Sequence, residues 1–167
     1  PNLALSFALE PSFEQLIKHR SGARKLKKMR QQARRMDERG GWACEVAQNS
    51  AQAKELLNAF FVMKSKRFEE FGLKDTFERR EIKDFFNALF GAEADGVKAP
   101  FRLDGLRVGG EILAVAGSSV RHGTNIVECG AVRAHEPTLS PGDFLFHHMI
   151  KRACEDGTDA FDFGVGD

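Results

Sequence analysis

Two carboxylates stand inside otherwise apolar stretches of this chain, Glu111 beside Ile112-Leu113-Ala114-Val115 and Glu128 after Ile126-Val127. A carboxylate half-buried in a strand is a candidate proton acceptor, because desolvation disfavours its charged form. The plainer reading of either is a solvent-facing position on a strand with one wet side. Cys129 follows Glu128 directly, and His122 sits in a turn-like Arg121-His122-Gly123-Thr124 stretch as a further proton carrier. A second kind of chemistry is offered by Leu139-Ser140-Pro141-Gly142-Asp143. Serine is a good N-cap, proline suits the first helical position, and a helix start carries unpaired N–H groups and partial positive charge that suit an anion. The same four residues 140–143 also read as a well-capped helix start with no ligand, with Asp143 completing a capping box.

Metal and nucleophile chemistry find less. His147 and His148 are adjacent on a predicted helix and diverge by more than a quarter turn, and His135 and Glu136 nearby have no metal-ligand spacing. No metal is expected. Ser140 is not in a nucleophile elbow. Cys44, Cys129 and Cys154 form no CxxC pair, which argues against a disulfide scaffold and a zinc site and for a reducing compartment, most simply the cytoplasm. The 15 phenylalanines are accompanied by no tyrosine, so a phenol cannot serve as an acid.

The elements that must position these groups follow from periodicity. The chain has 167 residues, 42% of them hydrophobic, with 25 basic and 24 acidic side chains, enough for one ordinary folded domain and too apolar for a disordered one. No apolar run approaches the ~20 residues of a membrane span, and no signal-peptide pattern opens the sequence. It begins with Pro1 rather than methionine, so it is expected to be a piece of something longer. Residues 18–39 are dense in Lys and Arg, with Leu26, Met29, Ala33 and Met36 as a narrow apolar stripe. That is either a solvated face beside a core stripe or a landing surface for phosphates, RNA or an anionic surface. Ser12 and Gln15 open a helix near Phe13, Gly22 is a candidate break, and Gly40-Gly41 a stop.

A strand is predicted over 42–47, a helix over 50–70, and a second helix from the Asp75-Thr76-Phe77-Glu78 capping box carrying Phe77, Ile82, Phe85, Phe86, Leu89 and Phe90 inward. Asp104-Gly105 between 101–103 and 106–108 reads as a hairpin turn, with Gly109-Gly110 as a bulge or bend before a strand over 111–120. The strand returns over 125–134, a helix runs from Ser140 to about 156 with Gly157 as its left-handed cap, and 159–163 closes as a short strand in parallel connection to the same sheet.

This order resembles the GNAT superfamily of acyltransferases, and more narrowly its FemAB-like branch with the CelD-like group associated with cellulose biosynthesis. The residues that carry the resemblance are Leu103-Asp104-Gly105 with Val108, Cys129-Gly130-Ala131-Val132, Leu139-Ser140-Pro141-Gly142, Gly157, and Phe161-Asp162-Phe163-Gly164 with Gly166-Asp167, preceded by the basic run Arg24 to Arg35. It implies an α/β (α+β) fold, a mixed, mainly antiparallel twisted sheet flanked by helices, with residues 1–40 as a basic helical leader and 41–167 as the transferase domain. It also implies an acyl donor, acetyl-CoA or a longer acyl-CoA, lying where two central strands splay. The donor's pantetheine would be held at Gly130, Ala131 and Val132, with Arg133 available as a cation. Its pyrophosphate would lie at Leu139, Ser140, Gly142 and Asp143.

The loop departs from the family's usual Arg/Gln-x-x-Gly-x-Gly/Ala: it has one glycine, Pro141 removes a donor, and Asp143 puts a carboxylate near the phosphates. Glu111 or Glu128 would act as base towards an amine acceptor, a saccharide or other small molecule such as an amino sugar or polysaccharide precursor. With no tyrosine, Cys129, a serine such as Ser118, or water would protonate the leaving thiolate. FemAB-like relatives imply an aminoacyl-tRNA donor as the alternative, and a degenerate, partner-binding scaffold is the third reading. GNAT folds add strands after the position of Asp167, so acceptor-binding residues are expected beyond it.

Overall fold

The computed structural model describes residues 5–19, 22–91 and 101–164. Gly166 and Asp167 of the sequence resemblance, and Arg20 of the basic run, lie outside them. Six strands form one sheet in the order β1-β6-β5-β4-β3-β2. They are β1 (Ser6–Ala8), β2 (Trp42–Val46), β3 (Phe101–Val108), β4 (Glu111–Arg121), β5 (Thr124–Val132) and β6 (Ala160–Asp162). All neighbours pair antiparallel except β5 with β6, which run parallel. The helix between them, α5 (Pro141–Glu155), makes the crossover that such a pair requires.

The sheet is the middle of three layers. On one face α1 (Phe13–His19), α2 (Ala23–Asp37) and α5 enclose a core containing Met29, Met36, Leu106, Phe144, Met149 and Phe161. On the other, α3 (Ser50–Glu70) and α4 (Arg80–Gly91) enclose one built on Leu56, Leu57, Phe60, Phe61, Phe90 and Val115. Being covered on both sides, β4 is buried continuously from Leu113 to Ser119 instead of alternating. The mixed α/β fold, with its mainly antiparallel sheet flanked by helices, is the one expected from the sequence.

Several helix ends fall where local chemistry puts them. Gln15 N–H donates to Ser12 Oγ, Gln52 N–H donates to Asn49 Oδ1, and Gly157 ends α5 at φ +72°. α3 has the bounds expected of it, and the chain breaks at Gly22 between α1 and α2. The Asp75 capping box does less than expected. Asp75 accepts from Phe77 N–H, but this closes only a 3₁₀ turn at Thr76–Glu78, and α4 begins at Arg80. Phe85, expected inward, is 57% exposed. The strand β1 had no expectation.

The largest correction concerns Asp104-Gly105, which is no turn. Both residues lie inside β3, paired with Ala116 and Val115 of β4 and with Val46 and Glu45 of β2. Asp104 is held there by a bidentate ion pair with Arg152 of α5, whose second arm is 2.9 Å from Asp104 Oδ2. Gly105 is where α3 crosses, and a Cβ would stand 2.5 Å from Leu56 Cδ2. Tertiary contacts override the local turn preference. The hairpin turn is Gly109-Gly110, at φ +56° and +86°, between Val108 and its partner Glu111. Two positive φ values are what a tight two-residue hairpin needs.

Candidate active site

Parallel pairing of β5 with β6 is short. It covers Thr124 with Ala160, Asn125 with Phe161 and Ile126 with Asp162, and then stops while β5 continues to Val132. Asp162 turns the chain away, its Oδ1 accepting from Gly164 N–H at 2.7 Å with Gly164 at φ +70°. Phe163 N–H donates instead to Leu5 O at 3.0 Å. The ladder therefore ends at Ile126, Gly164 still lies against the Val127 carbonyl, where a Cβ would come within 2.0 Å, and past this point a cleft of about 530 Å³ opens along β5.

A bulge shapes its inner end. Cys129 pairs with Gly117 and Val127 with Ser118, so Glu128 is the extra residue, set out of register with β4. Bulges re-aim side chains, and Glu128 lines the cleft with Oε1 accepting from Ser119 Oγ at 2.5 Å and in a looser ion pair with Arg121 Nη2 at 3.8 Å. Cys129 lies next to it against Gly117, where a Cβ would come within 2.8 Å of its sulfur. Burial pushes the Cys129 thiol up to about 11, so it stays protonated at neutral pH. Phe146 and Phe163, in edge contact at 5.4 Å, form one wall, and Met63, Lys64 and Arg67 of α3 the other. Lys64 Nζ lies over the Phe60 and Phe77 rings at 5.9 and 5.8 Å.

The outer end of the cleft is the start of α5. Ser140 is the N-cap but its hydroxyl makes no capping bond, which corrects the expected capping box. The partners that the box would have used are taken by α2. Gln32 Oε1 accepts from Ser140 N–H at 2.8 Å, and Lys28 Nζ donates to Asp143 Oδ2 at 2.8 Å. Gln32 and Arg35 also donate to Thr138 O, and Arg39 to Glu136 Oε2 at 2.6 Å. The cationic helix is thus strapped along the loop between β5 and α5, with no side-chain cap on the first turn. Gly142 lies close against β5, where a Cβ would stand 3.0 Å from Val132 Cγ1.

Of the residues singled out by sequence, the cleft lining brings together Glu128, Cys129, Gly130, Ala131, Val132, Gly142 and Asp143. Glu111, the first residue of β4, and Arg133 do not line the cleft: Glu111 is exposed and pairs with Arg133 Nη1 at 2.6 Å. Leu139 is buried in the core, and Ser140 is held by Gln32. His122 is an exposed turn residue at φ +48°, and Ser118 is buried with its hydroxyl unpartnered among the described residues. Lys28 comes from the cationic leader that sequence offered, without naming the residue, as a source of positive charge for this loop, whereas Gln32, Lys64 and Arg67 were not anticipated. A signal existed for Gln32, a polar residue on the Met29–Met36 face of the helix. No group of three or more potential ligands for a metal occurs among the described residues. No helix there is long and apolar enough to cross a membrane.

The sequence matches the acetyltransferase (GNAT) domain family over residues 23–167, and the chain belongs to that family. Its fold is accordingly that of a GNAT domain. No curated protein matches the sequence. Among solved structures it is similar to the C-terminal domain of a protein assigned as a lysylphosphatidylglycerol synthetase from Agrobacterium fabrum, at 18% identity and TM-score 0.61 over 98% of this chain and 48% of that one. L-PGS from Bacillus licheniformis follows at 17% and 0.55, with the same coverage of both chains. FemX is similar at 14% and 0.58, over 84% of this chain and 48% of its own. At such identities the likeness is one of fold, and this chain spans about half the length of each.

Proposed function

We propose that this chain is an N-acyltransferase domain, taking an acyl group from an acyl-CoA-type donor, acetyl-CoA or longer, and passing it to an amine. The observation that carries this reading is the early end of the β5–β6 pairing, which leaves a strand edge leading to an uncapped helix start. A donor of this class has a slender amide-bearing arm and a pyrophosphate. A strand edge suits the first, and helix N-terminal amides suit the second. Gly130, Ala131 and Val132 would hold the arm, and the amides of Gly142 and Asp143 the phosphates, with Lys28 offsetting the Asp143 carboxylate. Although sequence divides a leader at 1–40 from a transferase domain at 41–167, α2 of that leader serves the site through Lys28 and Gln32.

The donor, when bound, supplies an activated thioester carbonyl. Glu128, positioned by Ser119, would take the proton of the incoming ammonium, and the protonated Cys129 thiol beside it is a proton source for the leaving side. An amino sugar or polysaccharide precursor as acceptor rests on the CelD-like resemblance, and three unpaired cysteines fit a reducing cytoplasm. Calorimetry with acetyl-CoA and longer acyl-CoAs tests the donor: heat of binding is expected, and none at concentrations where ~1 mM affinity would register overturns it.

The exposed cations Lys27, Arg30 and Arg34 on α2 favour a second reading, an aminoacyl-tRNA donor. Its mark would be affinity falling steeply with salt.

A further inference from the structure

A second cavity, of about 870 Å³, lies between α1, α2, α5 and the end of β1, on the face of the sheet away from α3 and α4. Its size is within the range of small-molecule sites. Phe13, Ile17, Met29 and Ile150 give it apolar walls, while Arg24 and Lys25 stand exposed at its border. Lys28 is engaged with Asp143, but Arg24 and Lys25 have no ion-pair partner among the described residues.

Ser6, Lys28 and Asp143 also line it, but among its polar side chains one is largely buried. His147 is 8% exposed and lines the cavity, with the Phe13 ring edge-on at 5.0 Å, and it makes no hydrogen bond among the described residues. Burial, followed by the neighbouring His148, Lys25 and Lys151, pushes its pKa down to about 4. At neutral pH it is an uncharged imidazole with one N–H to donate and one lone pair. Its ring nitrogens are not among the sealed, unpartnered polar atoms of the described residues, so they remain open to a ligand.

An inorganic anion would answer the two cations and leave the walls wet. A neutral hydrocarbon would fill the walls and leave the cations and the imidazole unanswered. We propose that this cavity binds an alkyl phosphate amphiphile, its chain between Phe13, Ile17, Met29 and Ile150, its phosphate at Arg24 and Lys25, and a head-group oxygen accepting from His147. The site does not depend on the acyl-transfer reading, although Asp143 and Phe163 border both cavities and place the head group beside the start of α5.

The test is calorimetric titration of the 167-residue chain with dodecyl phosphate below its micellar concentration. Dodecyl phosphate is expected to bind, and dodecyl maltoside and inorganic phosphate at least tenfold more weakly. The pair Arg24→Glu/Lys25→Glu and, separately, Ile17→Trp are each expected to weaken binding about tenfold or more, about 1.4 kcal/mol. Reversing Lys27 and Arg30, which do not line the cavity, is expected to leave it unchanged, and near-native melting curves certify that the variants fold. The proposal is overturned by absence of binding, by equal binding of dodecyl maltoside, or by indifference to both sets of cavity variants. Displacement of dodecyl phosphate by free CoA also overturns it, since the cavity would then be the nucleotide end of the donor site.

Discussion

Lys28 Nζ meets Asp143 Oδ2 at 2.8 Å, joining two residues 115 positions apart at the point where the cleft reaches the start of α5. The contact answers the main objection that the sequence raises against an anion there. A carboxylate in the first turn of a helix repels phosphate, and here its charge is offset by an ammonium from α2.

Removing that ammonium by Lys28→Ala is expected to raise the KM for an acyl-CoA about three- to tenfold with little change in kcat, because the two half-exposed groups are partly screened. In an Asp143→Asn background the same change is expected to do much less. Steady-state kinetics on the four proteins of the cycle check this, and the effect should shrink as salt is raised.

Glu128→Gln keeps the shape of the bulge and the bond from Ser119 but removes the proton acceptor. A loss of about 10²- to 10⁴-fold in kcat is expected, with the donor KM little changed and the base-dependent limb of the pH–rate profile abolished. Glu111→Gln, outside the cleft lining and paired with Arg133, is expected to cost less than threefold by the same measurement, roughly what an exposed ion pair contributes.

Much of the frame is legible in the sequence, and the illegible parts share a cause. Caps, helical spacing and glycine stops are local signals, and they locate α2, α3, α5 and the break at Gly22. Asp104-Gly105 fails as a turn because Arg152 and Leu56, far away in sequence, determine its conformation. The capping box at 140–143 fails similarly, since Gln32 and Lys28 reach its partners first. Half of the site, 128–132 with 142–143, could be named from motif order. The α3 wall with Lys64 and Arg67 could not, because nothing local distinguishes those two residues from any solvated face.

The Asp104–Arg152 pair gives a stability test. Burial pushes the Asp104 carboxyl up, against the pull of the Arg152 guanidinium, so the pair is costly to break from one side. Arg152→Met is expected to destabilise the fold by about 3–5 kcal/mol in urea denaturation, and the double change with Asp104→Leu by clearly less.

His147 sets a pH dependence. Its folded-state pKa is depressed to about 4 from an ordinary value near 6.5, so folding favours the neutral ring. The stabilisation is fully present above about pH 6.5 and declines as pH falls towards 4, where the unfolded chain takes up the proton first. Between pH 6.5 and 5 wild type is expected to lose stability more steeply than His147→Gln, as followed by denaturant midpoints. Parallel curves would contradict the assignment.

The claim on which the functional reading stands is that the parting of β5 from β6 receives the donor. Amide chemical-shift mapping on a ¹⁵N-labelled protein during titration with acetyl-CoA tests it most directly. Saturable shifts are expected at Gly130, Ala131, Val132, Gly142 and Asp143, with Gly72 and Gly157, which do not line the cleft, unmoved. Binding with those five amides silent, or no binding at millimolar donor, would contradict it.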